Sequence, residues 1–123
     1  MSAVQAALSR AMHLDGAMGA AVVDYISRMA LGTLSRRKDL DLDLAAYGST
    51  DVVRANLSAL NLAGRKPEQL QDILITLDGE YHLIRPLARR AYEGLFLLLI
   101  LDRDHADPDT ARKELRNIIE DLL

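Results

Sequence analysis

The segment Leu42-Asp43-Leu44-Ala45-Ala46-Tyr47-Gly48-Ser49-Thr50-Asp51-Val52-Val53-Arg54-Ala55-Asn56-Leu57-Ser58-Ala59-Leu60-Asn61-Leu62-Ala63 reads as one long helix with two apolar zones. At about 100° per residue, Leu42, Val53, Leu57 and Leu60 form a zone of large side chains. Ala45, Gly48, Val52, Ala55, Ala59 and Ala63 form a second zone of mostly small ones, at alternating steps of three and four residues. Thr50, Asp51, Arg54, Ser58 and Asn61 fill a polar wedge. Together the zones span more than the roughly 100° that an ordinary surface helix buries. One zone can cover the domain's own sheet, and small residues in the other allow a second helix to come close. The simpler alternative is tight packing of both zones on the same sheet; the width of the arc favours a partner. Gly64 is a suitable residue just past the helix end.

Outward from this helix, the order of elements follows. Val4, Ala7, Leu8 and Ala11 recur at helical spacing behind Ser2, a plausible cap, and this helix is expected to stop near Asp15-Gly16. Met18 to Asp24 is a strand of small residues, Tyr25-Ile26-Ser27 turns the chain, and Arg28 to Leu34 returns. Arg36-Arg37-Lys38, offset by Asp39, Asp41 and Asp43, reads as a solvated connection, with contact to an anionic partner as the sharper alternative. Ile73 to Leu77 is the third strand, followed by Asp78-Gly79, a two-residue hairpin signal. In the return strand, Glu80 to Leu87, Tyr81, Leu83, Arg85 and Leu87 share one face and His82, Ile84 and Pro86 the other. The uninterrupted apolar run Leu95 to Leu101 suits a central strand covered on both faces. Asp107-Pro108 opens a final helix with the stripe Ala111, Leu115, Ile118, Ile119 and Leu122. The fold class is therefore α/β of the α+β kind, α-β-β-α-β-β-β-α, with one five-stranded antiparallel sheet and helices on both faces.

The chain has 123 residues, half of them hydrophobic and 27% charged, with net charge −3. That is one domain's length, residues 1–123, and too apolar for a disordered chain. With no cysteine there is no disulfide framework and no thiolate chemistry. The slight acidity argues against nucleic acid as a partner. The first residues lack the pattern of a targeting peptide, and Leu95–Leu101 is far short of a membrane span, so a cytoplasmic location is expected. His13, His82 and His105 fall on separate elements, none in a ligand-spaced pair, so no metal is expected. Asp102-Arg103-Asp104-His105 reads as a local turn, and Gly64-Arg65-Lys66 lacks the spacing of a phosphate loop. Arg89-Arg90 reads as part of a solvated loop. No catalytic constellation and no cofactor site emerges.

Three stretches, taken in order, resemble the Roadblock family (the dynein light-chain roadblock type and its bacterial relatives), which has a profilin-like architecture. They are Leu14-Asp15-Gly16-Ala17-Met18-Gly19-Ala20-Ala21-Val22-Val23-Asp24, the hairpin Ile73 to Leu87, and Gly94 to Arg103 with the capped final helix. Tyr25-Ile26-Ser27 departs from the Asp-Gly type of turn that many members carry there. The resemblance implies a dimer in which the long helix and the third strand meet their counterparts and two sheets join into one. It also implies a non-enzymatic role, scaffolding or regulating a Ras-like small GTPase, with a sensor-kinase-like protein as a further component in bacterial systems. On the residues, Ala45, Gly48, Val52, Ala55, Asn56 and Ala59, with Ile73, Ile75 and Leu77, are the expected dimer surface. The rival reading from another class is a small-molecule sensor domain, for which the sequence offers few convergent polar groups.

Overall fold

The structure, a computed structural model, describes residues 2–123. The elements are α1 (Ala3–Ala11), β1 (Ala17–Asp24), β2 (Met29–Ser35), α2 (Leu42–Leu62), β3 (Ile73–Thr76), β4 (Glu80–Pro86), β5 (Leu95–Asp102) and α3 (Pro108–Leu122), with short 3-10 turns at Pro67–Gln69 and Arg90–Tyr92. The five strands form one sheet in the order β2-β1-β5-β4-β3. Every neighbouring pair is antiparallel.

The apolar run Leu95–Leu101 becomes β5 at the centre of this sheet, as its composition requires. Its side chains alternate between two cores. Phe96, Leu98 and Ile100 join Ala21, Val23 and Ile84 beneath α2. Leu97, Leu99 and Leu101 join Ala20, Val22 and Leu83 beneath α1 and α3. Truncating one such buried leucine to alanine typically costs about 2–5 kcal/mol. On the second face α3 presents Ala111, Leu115, Ile118 and Ile119, all buried. Its cap is as expected, with the Asp107 carboxylate accepting from the Asp109 amide and the Thr110 hydroxyl. The Ser2 hydroxyl accepts from the Gln5 amide and caps α1 in the same way.

Three local expectations are corrected. Arg28 does not open the second strand. It stands at φ 67 and closes a turn in which the Asp24 carboxylate accepts from the amide of Ile26. An aspartate that satisfies the turn's amides does the work expected of a glycine there. Leu77 lies beyond β3, because its amide donates to the Glu80 carbonyl (2.8 Å) and closes the Asp78-Gly79 turn. Neither turn residue takes a positive φ, so this hairpin is not of the primed type. Thr50, placed in the polar wedge, is fully buried. Its hydroxyl donates back to the Ala46 carbonyl at 2.8 Å, which satisfies it inside the core.

Gly16 fixes how α1 hands over to the sheet. It takes φ +80, and a Cβ there would lie 2.9 Å from both the Ala106 Cβ and the Asp102 carbonyl oxygen. Gly16→Ala is therefore expected to lower the unfolding free energy by about 2 kcal/mol, measured by urea denaturation. An unchanged midpoint would show that the β5–α3 loop yields freely.

The Asp107 carboxyl is held below the usual carboxylate range, chiefly by the Thr110 hydroxyl and then by the Asp109 amide. Its contribution to stability is complete above the ordinary carboxylate value of about 4 and is lost as pH falls through the lowered one. Asp107→Asn is expected to flatten the acid limb of a stability–pH curve between those values. An identical acid limb in both proteins would contradict this.

Candidate protein-interaction surface

The surface is built on α2, whose two ends are both well defined. The Asp41 carboxylate accepts from the Leu44 amide at 3.0 Å and starts the helix. At the other end Gly64 takes φ 71. The Gly64 amide donates to the Asn61 carbonyl and the Arg65 amide to the Leu60 carbonyl, the paired bonds of a Schellman stop. The Gly64-Arg65-Lys66 segment thus ends a helix rather than opening one.

Between these ends α2 lies across β1 and β2. It buries Leu42, Ala46, Ser49, Thr50 and Val53. Its rotation about its own axis is set from the β2 side. The Arg28 guanidinium stacks on the Tyr47 ring, 4.9 Å from its centroid, and pairs with Asp51. The charged wedge is thereby turned towards β2, and the small-residue stripe towards the half of the sheet that α2 does not reach.

The residues expected at a dimer surface fall into two groups. Ala45, Val52, Ile73 and Ile75 are half-buried and rest against the same core beneath α2. Asn56 is also half-buried, its amide donating to the Val52 carbonyl at 3.0 Å. Gly48, Ala55 and Ala59 stand exposed on the helix, and Leu77 stands exposed past β3. Two further residues extend the exposed stripe and were not part of the expectation: Leu44, 69% exposed, and Leu62, 86% exposed. Leu44, Gly48, Val52, Ala55, Ala59 and Leu62 follow one another at steps of four or three, the spacing of a helix–helix seam. Extending the small stripe in both directions at that spacing would have found the two leucines.

Gly48 sharpens this. Glycine within a helix costs about 1 kcal/mol relative to alanine. A Cβ at Gly48 would meet nothing within 4 Å. Nothing inside the subunit therefore asks for glycine at this place. At the far end of the sheet, β3 is the last strand and, among the described residues, pairs only with β4. One of its edges is therefore unpaired, with Ile73 and Ile75 on the α2 side.

The other sequence candidates do not assemble into a site. His13 Nδ1 lies 2.7 Å from the Ser9 carbonyl, His82 Nε2 2.7 Å from Glu80 Oε1, and His105 Nδ1 3.0 Å from Asp102 Oδ2. Among the described residues no group of three or more such side chains is arranged to hold a metal ion. Asp102-Arg103-Asp104-His105 is a turn. Asp102 accepts from the Asp104 amide and contacts His105, and these bonds, the first chiefly, hold its pKa below the usual carboxylate range. Arg103 donates to the Leu77 carbonyl at 3.0 Å and steadies the β3–β4 hairpin. Arg37 pairs with Asp39, and Arg89 donates to the Glu120 carbonyl, so each basic run has one member engaged within the chain. A groove of about 540 Å³ lies between the end of α2 and the β4–β5 connection, with Leu57, Leu70, Pro86 and Leu95 in its wall. Among the described residues no helix is long and apolar enough to cross a membrane.

Solved structures with this arrangement exist. A Roadblock/LC7 domain from Streptomyces avermitilis matches 97% of the chain and 90% of its own length, with a TM-score of 0.72 at 12% identity. The chain has the Roadblock/LC7 fold. MglB of Myxococcus xanthus matches 98% of the chain and 90% of its own length, with a TM-score of 0.73 at 16% identity. An MglB solved in a tetrameric arrangement matches over the same shares, with a TM-score of 0.69 at 20% identity. No family model and no curated protein matches the sequence.

Because Arg28 sets the rotation of α2, Arg28→Ala is expected to cost about 1 kcal/mol of stability through the lost stacking and ion pair. It should also speed hydrogen exchange at Tyr47 and Asp51. Exchange rates there equal to those of the parent chain would mean that the core alone orients the helix.

Proposed function

We propose that the chain is a non-enzymatic, homodimeric adaptor that scaffolds or regulates a Ras-like small GTPase in a cytoplasmic signalling complex, with a sensor-kinase-like protein as a further partner. In this reading residues 1–123 act as one domain. The observations that carry it are the exposed stripe of α2, Leu44, Gly48, Ala55, Ala59 and Leu62, and the unpaired edge of β3, whose isoleucines share the sheet face that α2 covers. A contiguous apolar surface of this kind marks an interaction site, and a free strand edge is ordinarily covered or paired. Two copies related by a two-fold axis meet both needs at once. The two α2 helices pack along their small residues, and the two β3 edges join the sheets. An interface that holds such a dimer buries on the order of 1,500 Å². The partner assignment rests on the family resemblance of the sequence and on the likeness to MglB structures. The groove near Leu57 and Leu70 gives the sensor reading less support, because its polar side chains, Tyr25, Glu68, Arg90 and Glu93, form no recognisable ligand set.

Ala55→Arg places a long charged side chain in the seam without touching the core of its own subunit. The variant is expected to run as a folded monomer in sedimentation velocity; an intact dimer would remove this interface. Affinity capture from native lysate, read by mass spectrometry, tests the partner. A small GTPase is expected among the proteins held by the parent chain, and its absence would overturn the regulatory reading while leaving the dimer intact.

A further inference from the structure

On the sheet face opposite α2, a cleft of about 200 Å³ opens between the approach to β3, the middle of β4 and α3. Its walls carry four cations, Arg85, Arg112, Lys113 and Arg116, against the carboxylates of Asp72 and Asp109. Counting Glu120, which also acts on Arg85, the balance remains one positive charge in excess. Arg85 is the unusual member. It interrupts a strand face that otherwise offers Tyr81 and Leu83 to the core beneath α3. Its side chain is only 18% exposed, and its nearest carboxylate oxygen, Asp72 Oδ2, is 3.7 Å away, beyond hydrogen-bonding range. That oxygen already accepts from Arg112 Nε at 2.9 Å. Among the described residues nothing accepts a hydrogen bond from the Arg85 guanidinium, and neither Lys113 nor Arg116 has an ion-pair partner. Burial lowers the pKa of Arg85; Asp72 opposes this, and Arg116 and Arg112 add to it.

A partly buried guanidinium facing an open cleft, held to Asp72 only at 3.7 Å and with further cations around it, is prepared for an acceptor that carries charge. We infer that this cleft binds an oxyanion of the phosphate class, either inorganic phosphate or the phosphate group of a monoester. A tetrahedral oxyanion presents acceptors in several directions and can accept from several forked guanidinium groups at once, which a planar carboxylate cannot match. The cleft lies on the face opposite α2, so the inference stands or falls separately from the proposed helix seam.

The test uses the full chain in chloride buffer at constant ionic strength, with the arginine Nε–H resonances followed by NMR. Inorganic phosphate, phenyl phosphate and acetate are titrated in turn. Saturable shifts at Arg85 and Arg116 are expected with either phosphate, and acetate is expected to bind at least about tenfold more weakly. The tighter of the two phosphates identifies the source, free ion or monoester. Arg116→Ala, on the exposed side of α3, is expected to keep the parent's thermal unfolding and to weaken phosphate by about tenfold, the effect of one charge-assisted bond. Arg85→Gln is expected to abolish saturation. Shifts that only track ionic strength, acetate binding as tightly as phosphate, or an Arg116→Ala variant that binds like the parent would each overturn the site.

Discussion

Seven consecutive apolar side chains, Leu95 to Leu101, stay out of water only if their strand is flanked by other strands and covered on both faces. The rest of the molecule answers that demand. β1 and β4 flank β5, α1 and α3 cover one face, and α2 covers the other. The cover is unequal. Two helices share one face, whereas α2 alone lies on the other, across β1 and β2. The β3 end of that face is left with half-buried isoleucines and a strand edge that bonds to nothing. The incomplete cover and the free edge have a common origin, in one helix set to one side of a five-stranded sheet.

What the sequence made legible is what depends on periodicity and on strong local signals. The alternation of β4, the capped start of α3, the stop at Gly64 and the central place of β5 all follow from patterns visible in a few neighbouring residues. What escaped depends on side chains that change their usual role. Thr50 is a polar residue that satisfies itself on the carbonyl one turn back and so enters the core. Asp24 and Arg28 build a turn that glycine would ordinarily supply. Leu77 has a strand former's composition but is taken by the hairpin closure.

The proposed interaction surface rests on a pattern only part of which shows in the sequence. Its small-residue centre shows in the spacing of Gly48, Val52, Ala55 and Ala59. Its leucine ends, Leu44 and Leu62, lie where the polar and apolar sides of the helix meet, and only their exposure separates them from ordinary core leucines. The cation cleft was not legible at all, since Asp72, Arg85 and Arg112 come from a loop, a strand and a helix far apart in the chain. Each looks like a solvated charge until the fold brings them together. The two surfaces differ in their chemistry as well as their place. One offers small and apolar side chains and a backbone edge, the other guanidinium groups and an excess of positive charge.

The central claim is that the incomplete cover over β3 is finished by a second copy of the chain. Sedimentation equilibrium of the unaltered protein at micromolar concentration tests this most directly. The expected result is a mass of two chains that persists on dilution through that range, with β3 amides protected from hydrogen exchange. A mass of one chain, with β3 amides exchanging as freely as an open edge allows, would contradict it.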